Sequence, residues 1–181
     1  KTTAYNGTHI KNRLLSYNTA PEKLDGVYST DFSTDDVFRS YTAPSGKASI
    51  KYSDESGNVA ITPAAANWYA TLNFPFDWDL NGIQTITMDI SAATAGSVNI
   101  GLYGSDMEVW TKAVDVNTEV QTVTIGINEL VKQGNPQTDG KLDAALSGIY
   151  FGAATADTGS ITIDNVKIVK LATPVYTANT Y

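Results

Sequence analysis

The chain contains no cysteine, so it has no disulfide framework, thiol nucleophile or thiolate metal site. Histidine occurs once, as His9, in a weakly patterned N-terminal stretch; that argues against a histidine metal site or a Ser/His/Asp triad. Basic residues are scarce: 12 Lys and Arg stand against 19 Asp and Glu, for a formal charge of −7. Without a basic stripe or arginine cluster, phosphates go unneutralised, and nucleic acid is not an expected partner. Anionic membranes and polyanionic glycans are disfavoured on the same Coulombic ground. No apolar run approaches the roughly 20 residues that span a bilayer. The chain begins at Lys1, which reads as a mature form or a module excised from something longer.

What is present is β-patterned, in 181 residues that suffice for one two-layer domain. From Val27 onward period-two alternation dominates. It predicts strands over 27–32, 37–42, 47–53, 58–62, 67–74, 83–90, 97–104, 109–115, 120–127, 146–152 and 160–169. Turn residues separate most of them, as in Pro44-Ser45-Gly46, Leu80-Asn81-Gly82 and Ala95-Gly96. A short helical fragment is expected around Asn128 to Lys132. The absence of a βαβ rhythm points to an all-β antiparallel sandwich of jelly-roll type. Residues 25–171 form that domain, 1–24 an extension or added strand, and 172–181 a linker-like tail.

Parity divides the faces, because a one-residue slip would expose a whole apolar set. Trp68, Ala70, Leu72 and Phe74 share the core side, as do Ile86, Met88 and Ile90, then Val98, Ile100 and Leu102. Ala48, Ile50 and Tyr52 behave alike, and so do Val123, Ile125 and Ile127. The opposite parity carries Tyr69, Thr71 and Asn73, then Asn99, Gly101 and Tyr103, then Gly148, Tyr150 and Gly152. Glycines beside tyrosines are read as room for a flat ligand. A sugar ring, with an apolar C–H face and a hydroxyl rim, suits an aromatic platform flanked by planar polar groups. A few such contacts in a wet cleft correspond to micromolar affinity, about 5–8 kcal/mol.

The order of signals resembles the jelly-roll carbohydrate-binding modules of the group that includes families four, eleven and twenty-two. It runs from Thr30-Asp31-Phe32 through Asn67-Trp68-Tyr69, the 82–90 segment GIQTITMDI, Val109-Trp110 and the 120–125 segment VQTVTI to the closing 161–166 segment ITIDNV. The resemblance covers roughly Gly26 to Lys170. It implies a non-catalytic module that holds a plant polysaccharide chain, a β-glucan, xyloglucan or xylan, in a cleft on a concave ligand face. By that resemblance Tyr41, Asn73, Tyr103, Asp106, Trp110 and Tyr150 are carbohydrate-binding residues, with Tyr69 added from parity. It also implies a structural calcium held by Asp31, the backbone of Gly46 and Asp164, with Thr30 and Asp36 as possible extras. A covalently linked glycoside hydrolase, a cellulosomal or otherwise secreted setting and a monomeric state belong to the same expectation.

Some residues carry plainer readings. Trp68 alternates with core residues and reads as a core filler. Trp78 sits in an aromatic stretch, 74–79, read as a loop that either packs as a cluster or walls the cleft, and Trp110 also reads as the cap of a hydrophobic edge. Asp164 followed by Asn165 is also the pattern of a strand-end Asx-turn. Two other function classes stay open: a protein-interaction sandwich that docks through its tyrosines, and a small jelly-roll hydrolase or lyase. The second needs two carboxylates across a sugar bond, and Asp77 with Asp79, Asp35 with Asp36, and Glu108 all stand in turn-like contexts.

Overall fold

The computed structural model describes residues 26–33, 38–79, 83–104, 108–133 and 145–170. Segments 1–24 and 172–181, expected as an extension and a tail, lie outside them. The strands are β1 (Gly26–Thr30), β2 (Ser40–Thr42), β3 (Ala48–Ser53), β4 (Asn58–Pro63), β5 (Trp68–Asp79) and β6 (Ile83–Ala92). There follow β7 (Gly96–Gly104), β8 (Val109–Val116), β9 (Gln121–Gly126), β10 (Val131–Lys132), β11 (Ala145–Ala153) and β12 (Ile161–Lys170). One sheet runs β3-β4-β12-β6-β9 with β1 also on β12; the other runs β10-β8-β7-β11-β5-β2. All pairings are antiparallel, which gives the expected two-sheet, all-β jelly-roll sandwich.

Alternation placed the apolar sets correctly. Trp68, Ala70, Leu72 and Phe74 of β5 are buried, with Ile149 and Phe151 of β11 and Val98, Ile100 and Leu102 of β7 beside them in the same sheet. Ile86, Met88 and Ile90 of β6 face them from the other sheet with Ile161, Ile163, Val166 and Ile168 of β12. Ile50, Tyr52, Val123 and Ile127 are only half-buried, because β3 and β9 are sheet edges where the second layer thins out. Trp68 is a core filler as read, and its indole N–H donates to the Thr155 carbonyl at 2.7 Å. Sealing such a ring from water is worth about 1.5–3 kcal/mol.

The interrupted alternation at Asp164-Asn165 is a β-bulge. Asn165 has a φ of 48°, and the pairing with β6 shifts register between Asp164 and Lys167. The extra residue lets Ile161 and Ile163 before it, and Val166 and Ile168 after it, all point inward. It also divides β12 between two partners: residues 161–163 pair with β4 and 166–170 with β1.

Two expectations are corrected. The helical fragment at 128–132 is a single 3-10 turn over Ile127–Glu129, followed by β10. Glu129 anchors that turn by accepting from the Gly126 N–H at 2.7 Å and from Lys112 Nζ at 2.6 Å. The Lys112 bond, then the Gly126 N–H, hold its carboxyl below the usual range. The stretch 74–79, expected as a loop, is the second half of β5, with Trp78 paired to Leu146. The Trp78 side chain lies outside the described residues.

Candidate functional site

Three rows cross the outer face of the β10-β8-β7-β11-β5-β2 sheet. The first is Tyr69, Gly152, Asn99 and Ala113. The second is Thr42, Thr71, Tyr150, Gly101, Thr111 and Val131. The third is Ser40, Asn73, Gly148, Tyr103 and Val109. Four of the residues expected to bind sugar therefore share one surface: Tyr69, Asn73, Tyr103 and Tyr150.

The glycines between the tyrosines do something other than leave space for a ligand. A Cβ at Gly152 would fall 2.7 Å from Tyr150 Oη and 2.9 Å from Tyr150 Cε1, so the Tyr150 ring lies along its own strand above Gly152. A Cβ at Gly148 would fall 2.8 Å from Tyr103 Cε1. The Tyr103 ring accordingly crosses β11 at Gly148, and its hydroxyl donates to Asn73 Oδ1 on β5. Each ring passes close over a residue with no side chain. Tyr69, 41% exposed, extends the platform: its ring lies 15° from parallel to that of Tyr150, with centroids 5.9 Å apart. Burial, and secondarily the neighbouring Tyr69, raise the Tyr150 phenol above its ordinary pKa of 10.0. The two glycine seats are four residues apart on β11, about 13 Å at strand spacing.

Tyr41 and Trp110 do not join this surface, which corrects their expected place. Tyr41 pairs with Leu72 and Trp110 with Leu102, and both partners are fully buried core residues. The two rings occupy opposite ends of one inward row, Trp110-Leu102-Ile149-Leu72-Tyr41. Tyr41 stacks on Tyr52 of β3 at 6.0 Å with planes 4° apart, closing the edge between the two sheets. Trp110 packs against the core at the far edge, with its indole nitrogen buried. Asp106 lies outside the described residues.

The calcium set does not assemble into one site. Gly46 sits in the turn before β3, hydrogen-bonded between Pro44 and Lys47, whereas Asp31 runs past Gly57 in the turn after β3. The six residues of β3 between the two turns put these ends about 17 Å apart. Asp164 lies toward the Asp31 end, where its carboxylate accepts the Asn165 N–H at 2.6 Å in the plainer local turn. Asp31 likewise accepts the Ser33 N–H at 3.0 Å, and bonds from Ser33 lower its pKa. The Thr30 hydroxyl takes the Phe32 N–H at 2.9 Å. Asp36 lies outside the described residues.

Sequence reasoning did not foresee Ser40 and Thr42, which bracket Asn73 from the neighbouring strand. The three-residue SYT strand is too short for alternation to carry that signal; pairing with β5 turns Tyr41 inward and so both hydroxyls outward.

No protein-family model and no curated protein matches the chain. Solved structures do share its fold. A family 11 carbohydrate-binding module from Clostridium thermocellum, in complex with a β-1,3-1,4-mixed-linked tetrasaccharide, superposes with a TM-score of 0.64 at 18% identity, over 83% of this chain and 99% of that one. A mutant family 29 carbohydrate-binding module complexed with cellulohexaose gives 0.55 at 16% identity, over 78% and 90%. An exo-β-agarase gives 0.57 at 15% identity, over 83% of this chain and 26% of the enzyme's. The fold is therefore the one expected from the resemblance.

Proposed function

We propose that this chain is a non-catalytic carbohydrate-binding module that holds a neutral polysaccharide chain on the tyrosine face. The observation that carries the reading is the pair of rings laid on Gly148 and Gly152. Aromatic rings presented flat above a sheet match the C–H face of a pyranose, and the polar side chains around them match its hydroxyls. Two ring seats about 13 Å apart along β11 favour an oligosaccharide over a single sugar. The net charge of −7 favours β-glucan, xyloglucan or xylan over acidic polymers.

Such a module, secreted and tethered to a glycoside hydrolase, raises the local concentration of the enzyme on its substrate. The domain of like fold inside an exo-β-agarase supports a tethered arrangement. Calcium is not assigned to the set Asp31, Gly46 and Asp164, which the fold separates.

Affinity electrophoresis against β-glucan, xyloglucan and xylan tests the reading. Retardation without release of reducing sugar is the expected result, with Tyr150→Ala losing tenfold or more in affinity, about 1.4 kcal/mol, at unchanged fold. No retardation on any of the polymers overturns it, and release of reducing sugar makes the chain an enzyme.

A further inference from the structure

We infer that Asn73 is a positioning residue that holds the Tyr103 ring on its glycine seat, and that its amide is closed to ligand. The residue is 5% exposed although it sits on the outer face. Its Nδ2 donates to Ser40 Oγ at 2.9 Å and to Thr42 Oγ1 at 2.8 Å, which uses both of its N–H groups. Its Oδ1 accepts the Tyr103 hydroxyl. An amide so engaged has nothing left to donate to a sugar.

What the amide does instead follows from the path of the ring. Tyr103 starts on β7, passes over Gly148 on β11 and ends at Asn73 on β5, so it is fixed at both ends across three strands. Ser40 and Thr42 of β2 in turn fix the amide plane, and a fourth strand enters the support. A side chain immobilised beforehand loses less rotamer freedom when a ligand stacks on it. Asn73 thus contributes to affinity through Tyr103, without touching sugar; this consequence rests on the glycan-binding reading above.

The test pairs a readout that needs no ligand with one that does. In the wild type, the nuclear Overhauser contact between the Tyr103 ring protons and the Gly148 Hα protons should be strong, since Tyr103 Cε1 lies over Gly148. Asn73→Ala and Tyr103→Phe each reduce it by more than half. Asn73→Asp preserves it, because the carboxylate still accepts from Tyr103 while the Ser40 and Thr42 hydroxyls turn to donate. With cellohexaose as probe in calorimetric titration, Asn73→Ala and Tyr103→Phe each weaken binding about tenfold, and the double variant no further, whereas Asn73→Asp stays within threefold. An unchanged contact in Asn73→Ala overturns the inference. So does a loss in Asn73→Asp equal to that in Asn73→Ala, or additive losses in the double variant, since either means that the amide reads the sugar directly. If wild type binds no cellohexaose, the ligand reading fails on its own and the ring contact still decides the role of Asn73. If Asn73→Ala does not fold, Asn73→Asp and Tyr103→Phe carry the comparison.

Discussion

Replacing Gly152 with alanine adds one methyl group where the Tyr150 ring now lies. The new carbon would stand 2.7 Å from Tyr150 Oη, 2.9 Å from Cε1 and 2.9 Å from the Trp68 carbonyl oxygen, whereas ordinary contact starts at 3.4 Å. The phenol end must retreat by 3.4 − 2.7 = 0.7 Å and the ring edge by 3.4 − 2.9 = 0.5 Å. The ring can lift, but the Trp68 carbonyl belongs to β5 and yields less. Forcing a methylene into such a space costs about 1–3 kcal/mol. Lifting the ring also disturbs its stack on Tyr69, worth about 0.5–1.5 kcal/mol. For a domain of this size the melting temperature should fall by about 3–18 °C. Glycan affinity should fall about tenfold, because a tilted ring meets the sugar edge-on. Gly96→Ala is the control: its methyl meets Thr158 Cγ2 at 2.7 Å, in a row that does not include the tyrosines, so it lowers the melt and leaves affinity alone. Calorimetric titration and thermal melts of both variants measure the two effects. Undiminished binding by Gly152→Ala would refute the flat-ring argument.

Three further outcomes follow from the geometry. Trp110→Ala should cost about 2–3 kcal/mol of stability in chemical denaturation, below the value for a wholly buried tryptophan, and change glycan affinity less than threefold; a tenfold affinity loss at full stability would put the ring back in the cleft. The raised Tyr150 pKa means that the folded state holds its phenolic proton more tightly than the unfolded chain. Stability is then fully present below the unfolded value near 10 and declines as pH climbs through the folded one. Tyr150→Phe should flatten that decline in melts between pH 9 and 11, and an identical slope in the variant would show that another group causes it. Gly46→Ala should leave the response of the melting temperature to chelator unchanged, since Gly46 and Asp31 stand at opposite ends of β3; a smaller response in the variant would show that Gly46 shares a cation site.

Much of the sandwich was legible because alternation is a local property. Trp68 to Phe74 and Val98 to Leu102 declare their buried side by spacing alone, and no partner strand is needed to read it. The same rule went astray where its signal was short or broken. On β8, Trp110 shares parity with the buried Val114 and Val116, but Lys112 lies between them and hides the pattern. That lysine tolerates the inward parity because the strand nears an edge, where Nζ reaches Glu129. On β2 only three residues alternate, too few to show that Tyr41 faces inward. For the calcium set, resemblance supplied residue types, while the run of β3 between two turns set their separation.

The sequence by itself determined the class of fold and the side of the sheet on which Tyr69, Asn73, Tyr103 and Tyr150 emerge. Each of these depends on neighbours along the chain, through side-chain parity and backbone preference. Tertiary structure alone decided that the Tyr103 ring crosses to Asn73, that Gly148 and Gly152 are seats for rings, and that Tyr41 and Trp110 seal edges. Those outcomes depend on which strands pair and in what register, and pairing brings together residues that spacing along the chain does not connect.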